Sequence, residues 1–139
     1  MKEFKSFYSS ISDRKFNTWC NYTHRLDTYG CGCQHDCSYC YAKSLLNFRG
    51  LWDAGSPSVS NIGKIYSKIK RLPKYDVIKI GGMTDCFQPL EKEKKITLNT
   101  IKLLNKYRIN YLIVTKSSIV SNPEYLEIYD KDLAHFQIT

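Results

Sequence analysis

The chain has 139 residues, 42% hydrophobic, 24% charged and 14% aromatic, with a formal net charge of +8. That is enough for one globular domain, or part of one, with a buried core. It excludes a membrane-spanning helix, because no apolar run approaches the roughly 18 residues one needs. The N-terminal MKEFKSFYSSISDRKF mixes charge and polarity where a secretory leader would be apolar, so a cytoplasmic location with reduced thiols is expected. Basic charge combined with eleven tyrosines suits a surface that meets phosphates and stacks on bases. Lysine-rich helices facing water give the same composition.

Residues 1–17 read as a polar, irregular arm, and 18–29 as a strand leading into a cysteine cluster. A helix is predicted from Ser38 through YAKSLLNF to a stop at Gly50. In SPSVSNIGKIYSKIKRL (56–72), Val59, Ile62, Ile65, Tyr66, Ile69 and Leu72 recur at three- and four-residue steps, one face of a second helix. Ser56 would cap it, Pro57 would sit in its first turn and Pro73 would close it. DVIKIGG (76–82) reads as a strand stopped by Gly81 and Gly82. A helix over Leu90 to Tyr107 would bury Ile96, Thr100, Leu103, Leu104 and Tyr107. YLIVT (111–115) reads as a strand buried on both faces. Another helix is expected from Pro123 to Tyr129, and HFQIT (135–139) opens a further strand. Strands alternating with helices are the grammar of a parallel sheet with right-handed crossovers, an α/β fold. Ending on what reads as a core strand, the chain is expected to be the N-terminal half of a larger unit, with 18–139 as its ordered part.

GCGCQHDCSYCYA (30–42) puts four of the six cysteines within ten positions. Cys33, Cys37 and Cys40 form C-x3-C-x2-C. Three thiolates on one loop suit three irons of a cubane cluster and leave the fourth iron open. A structural zinc site wants four ligands, usually two C-x2-C knuckles or Cys/His pairs, and would have to recruit His35 or Cys31 at cramped spacing. A disulfide would join near neighbours in a reducing compartment. Spacing favours the cluster. Cys20 and Cys31 read as structural.

The string G-C-Q-H-D-C-S-Y-C-Y-A (32–42) resembles the radical S-adenosylmethionine (SAM) superfamily, in the branch of spore photoproduct lyase and the DNA repair photolyase-like proteins. Thr84-Asp85-Cys86-Phe87-Gln88-Pro89 resembles that branch's second motif, and Thr115-Lys116-Ser117 a third, each at a strand end. The resemblance covers about 18–139. It implies the first part of a (β/α)6 radical SAM barrel, cut after its fourth strand, with strand ends forming the site. It further implies a [4Fe–4S] cluster on Cys33, Cys37 and Cys40, whose open iron chelates SAM and whose electron generates a 5′-deoxyadenosyl radical. Tyr39 would meet the adenine. Gly81, Gly82, Thr84 and Asp85 would surround the SAM amino group, and Lys116 would pair with its carboxylate. An electron donor such as flavodoxin or ferredoxin is implied, together with the remaining half of the barrel; the basic, aromatic composition makes a nucleic acid or nucleotide the first choice of substrate, with a protein or small molecule left open.

Two departures bear on the reaction. Gly82 stands two residues before Thr84, where the lyase has its hydrogen-donating cysteine, so thymine-photoproduct repair is not implied. Cys86 replaces a proline and is a candidate hydrogen donor; a buried filler is the plainer reading. His35 would tune the cluster or fold its loop, and Trp52, near Arg49, would pack over that loop. The rival to an enzyme is a non-catalytic nucleic-acid-binding module stapled by iron–sulfur or zinc.

Overall fold

The computed structural model describes residues 7–9, 22–74 and 76–139. Five strands make the main sheet: β1 (Phe7–Ser9), β2 (His24–Leu26), β5 (Val77–Ile80), β6 (Asn110–Thr115) and β7 (Ala134–Ile138), in the order β1-β2-β5-β6-β7. β2, β5, β6 and β7 run parallel, and β1 is antiparallel to β2. The chain is therefore a mixed α/β protein built on a four-stranded parallel sheet. β1 falls inside the arm read as irregular; most of that arm, and Cys20, lie outside the described residues.

Side chains along β5 and β6 alternate between buried and half-buried. Ile78, Ile80, Tyr111 and Ile113 face the core, where Ile65 and Ile69 of α2 (Ile62–Ile69) and Ile101 and Leu104 of α4 (Ile96–Lys106) pack on them. Each such aliphatic contributes about 1.5–3 kcal/mol when fully buried. The expectation that YLIVT is buried on both faces is corrected: Leu112 and Val114 stay half-buried, because the helices cover only one face.

The second helix starts later than Ser56 and Pro57 suggest. Ser58–Val59 instead forms β4, antiparallel to β3 (Tyr29–Gly30), and Ser60 Oγ donates to Asp27 O at 2.7 Å. Asn61 then caps α2, its side chain accepting from Lys64 N at 3.1 Å. The segment expected as one helix over 90–107 is two, α3 (Glu91–Lys94) and α4, separated by Lys95 in the left-handed region at φ 55°. α4 buries Thr97, Thr100, Ile101 and Leu104, while Ile96, Leu103 and Tyr107 are half-buried.

The break is stabilised by the Glu91 carboxylate, which is fully buried. It accepts from Thr97 N at 3.0 Å and Leu98 N at 2.9 Å, capping α4 from the preceding helix. It also accepts from the hydroxyls of Tyr29 and Tyr125. Proline starts the last helix as expected, in α5 (Pro123–Leu126), after a 3-10 turn over Ser118–Ser121.

Candidate functional site

The cysteine loop follows β3 and runs into α1 (Tyr41–Phe48). Cys31 and Asp36 take left-handed conformations, φ 56° and 46°, which curl the loop. Its turns close through Asp36 N to Cys33 O at 3.1 Å and Cys40 N to Cys37 O at 3.2 Å. Cys40 is also the cap of α1, its sulfur accepting from Lys43 N at 3.5 Å. Gln88, fully buried, fastens this loop to the segment after β5: it accepts from Gln34 N at 3.0 Å and donates to Gly32 O at 3.5 Å.

Cys33, Cys37 and Cys40 are free thiols on the wall of one cavity of about 250 Å³. The C-terminal ends of β5 and β6 line the same cavity, through Gly81, Gly82, Thr84, Asp85 and Lys116. Tyr39 and Trp52 also border it. Residues from all three motifs, far apart in sequence, thus stand around one space. Cys31 is not on this wall.

Each wall residue has its own reason for being there. Gly81 has φ 85°, and a Cβ on it would lie 2.8 Å from Val114 O, so neighbouring backbone already demands glycine. A Cβ on Gly82 would meet the Arg25 side chain at 2.2 Å. Room for a ligand is therefore not what calls for these glycines. Thr84 Oγ1 donates to Tyr29 O at 2.5 Å. Asp85, 9% exposed, accepts through Oδ1 from Phe87 N at 2.9 Å and Thr115 Oγ1 at 2.6 Å. Its Oδ2 accepts from Lys116 N at 3.0 Å and lies 3.4 Å from His35 Nε2. Thr84 and Asp85 line the cavity, yet their polar atoms serve neighbouring segments; Asp85 ties the cysteine loop to the ends of both strands.

Lys116 Nζ reaches across the mouth to donate to Tyr39 Oη at 3.0 Å, 4.6 Å from that ring's centroid. This hydrogen bond is the main reason its ammonium pKa is raised, and Cys37 adds to it. Burial pushes the Cys33 thiol up, against the backbone amides of Asp85 and His35, which pull it down.

Asp27, at the end of β2, went unnoticed in the sequence. Its Oδ1 accepts from Gly82 N at 2.9 Å and Met83 N at 3.0 Å, and Oδ2 lies 3.7 Å from Arg25 Nε. Burial raises its pKa, offset in part by the Gly82 amide and Arg25. A carboxyl raised on folding stabilises most below its unfolded pKa and loses that contribution as pH rises through the folded value. Asp27→Asn keeps an acceptor for the two amides and removes the buried charge. The wild type is expected to lose urea resistance as pH rises from 4 towards 7, and Asp27→Asn to flatten that slope.

Cys86 does not line the cavity. It is fully buried in the core behind Gly81, its sulfur 3.8 Å from Ile80 O, and burial pushes its thiol pKa well up. The candidate hydrogen donor is corrected to a core side chain. Trp52 borders the cavity, whereas Arg49 is exposed.

Among the described residues, no three His, Cys, Asp or Glu side chains are grouped as ligands of a single metal ion. A zinc ion would need its sulfurs at about 2.3 Å from one point. A cubane cluster makes a different demand, since each thiolate takes its own iron around a shared volume. Three free thiols edging one cavity, with all-sulfur donors, fit the second demand.

What the fold and the site define is an α/β protein whose parallel strands end at a thiol-edged cavity. A protein of Methanocaldococcus jannaschii, described as uncharacterized, is 32% identical to this chain over 91 residues, 64% of this chain and 34% of that protein. The match thus spans about a third of that relative's length. No family model and no solved structure matches. No helix among the described residues is long and apolar enough to cross a membrane.

Proposed function

We propose that this chain provides the cluster-binding part of a radical SAM enzyme, with the four parallel strands as part of a (β/α)6 barrel. Cys33, Cys37 and Cys40 would hold a [4Fe–4S] cluster, and the adjoining cavity would take SAM. The observation that carries the reading is the meeting of all three motifs around that one cavity. A reduced cluster of this kind supplies the electron that splits SAM into methionine and a 5′-deoxyadenosyl radical.

The chain's own residues bind and orient. The Lys116 ammonium offers a charge partner for the SAM carboxylate. Tyr39, already against that ammonium, offers a ring for the adenine. Gly81 and Gly82, whose glycine identity the neighbouring chain already requires, line the side of the cavity where the SAM amino group would lie. Asp85 is a positioning residue that holds the backbone amide of Lys116 and lies 3.4 Å from His35 Nε2. An external one-electron donor of the flavodoxin or ferredoxin kind completes the partners.

The test is anaerobic reconstitution with iron and sulfide, then electron paramagnetic resonance of the reduced protein with and without SAM. A cubane signal that changes on adding SAM is expected. Lys116→Ala should leave iron content unchanged and weaken SAM binding about tenfold or more, the loss of one charge-assisted contact. Zinc in place of iron, or a cluster spectrum indifferent to SAM, overturns the reading and leaves a metal-stapled module.

A further inference from the structure

The charge surplus of this chain is concentrated on two neighbouring helices. Segment 62–72, carrying α2, contains four basic residues and no acidic one; segment 96–108, carrying α4, contains three and none. Together they hold most of the net charge of +8. Neither segment contributes a charged side chain to the thiol-edged cavity.

Between the helices lies a groove of about 500 Å³. Ile62, Tyr66 and Leu103 line it, with Asn99, Lys102 and Lys106 along the α4 side. Lys70 Nζ stands 6.0 Å from the Tyr66 ring centroid, so three ammonium groups surround the groove. Tyr66 is 37% exposed and meets Tyr107 edge-on, ring centroids 6.2 Å apart, with Tyr107 Oη donating to Tyr66 Oη at 3.3 Å. That hydrogen bond, followed by the charge of Lys70, lowers the Tyr66 phenol pKa, as expected in a positive surrounding. Ordinary solvated helices mix both signs of charge; these do not.

We infer that the α2–α4 groove is a docking surface for single-stranded nucleic acid, separate from the thiol-edged cavity. Lys70, Lys102 and Lys106 would meet phosphates while a base stacks on Tyr66, the pairing of charge and aromatic ring that single strands require. Lys102 and Lys106, one helical turn apart, are separated by about 6 Å along α4. A duplex would not enter a groove between helices in contact, whose axes stand about 8–10 Å apart. An acidic protein is the weaker fit: a stable partner needs about 800 Å² per side with an apolar centre, and this floor offers two aliphatic side chains and one ring. The inference does not depend on what the cysteines bind.

The experiment is fluorescence anisotropy with a labelled 20-nucleotide oligo-dT strand on the full chain, over a range of salt concentrations. Binding should weaken with a log–log slope of about −2, from about 0.7 per phosphate contact on single strands. Lys102→Ala with Lys106→Ala should reduce that slope by about 1.4, and Tyr66→Ala should weaken binding about tenfold. Lys92→Ala, outside the groove, should change nothing, and circular dichroism should show all variants folded. Absence of binding at low salt, or binding indifferent to Tyr66→Ala and the double lysine variant, overturns the inference. So does displacement of the strand by polyglutamate at equal charge concentration, which would mark an acidic-protein site instead.

Discussion

Cys37→Ala is expected to abolish cluster assembly while leaving the fold intact. Reconstituted wild type should hold about four irons per chain, with the brown absorbance of a cubane; the variant should hold almost none. Cys37 is the best of the three thiols for this test. Cys33 is 8% exposed, so removing it also leaves a void. Cys40 caps α1, so its loss also costs about 1 kcal/mol of helix stability. Cys37 is half-buried and caps nothing, so lost iron would report lost ligation. Cys31→Ala is the control, because that half-buried thiol is not on the cavity wall and should leave iron content unchanged. Unchanged iron in Cys37→Ala, measured by colorimetric assay beside an unaltered circular dichroism spectrum, would remove the basis of the cluster assignment.

Glu91→Ala is expected to be the most destabilising single substitution, costing roughly 3–5 kcal/mol. The carboxylate receives four hydrogen bonds inside the protein, from two backbone amides at the start of α4 and from the Tyr29 and Tyr125 hydroxyls. Truncation leaves four donors without this acceptor, three of them buried, and each buried one costs about 1–3 kcal/mol before relaxation. Burial first, and then the charge of Glu91 and the hydrogen bond to it, push both phenols far above their usual range, so they remain neutral donors. Against a total stability of about 5–15 kcal/mol for a typical domain, the variant should unfold at much lower urea. Tyr29→Phe and Tyr125→Phe should each cost about 1 kcal/mol, and their costs should not simply add. An unfolding free energy for Glu91→Ala within about 0.5 kcal/mol of wild type, the error of such measurements, would mean that the network contributes nothing net.

The network also links stability to the site. Tyr29 O accepts from Thr84, and Thr97, whose amide Glu91 accepts, donates its hydroxyl to Cys86 O at 2.6 Å. Loosening Glu91 should therefore loosen the turn holding Asp85, and with it that part of the cavity wall.

Some of this protein was written locally in its sequence. VIKI and YLIVT are strands because β-branched and apolar residues run together between turn residues. Pro123 marks the start of α5 because its missing N–H would be unpaired there anyway. The cysteine spacing announced a thiol cluster without any structure. What the sequence could not fix depends on partners distant along the chain. The start of α2 moved to Asn61 because Ser58 and Val59 pair antiparallel with Gly30 and Tyr29, far earlier in the chain. The expected helix over 90–107 divided because Glu91 is held by tyrosines at 29 and 125, leaving its carboxylate free to cap a new helix at Thr97. Asp27 matters because the amides of Gly82 and Met83 turn towards it, and no local pattern marks such an acceptor. Cys86 is likewise a core residue only because β6 and the segment after β5 close over it. Periodicity and spacing report what a residue can do with its neighbours in sequence; burial and hydrogen-bond satisfaction, which decide its final role, are set by the parallel sheet.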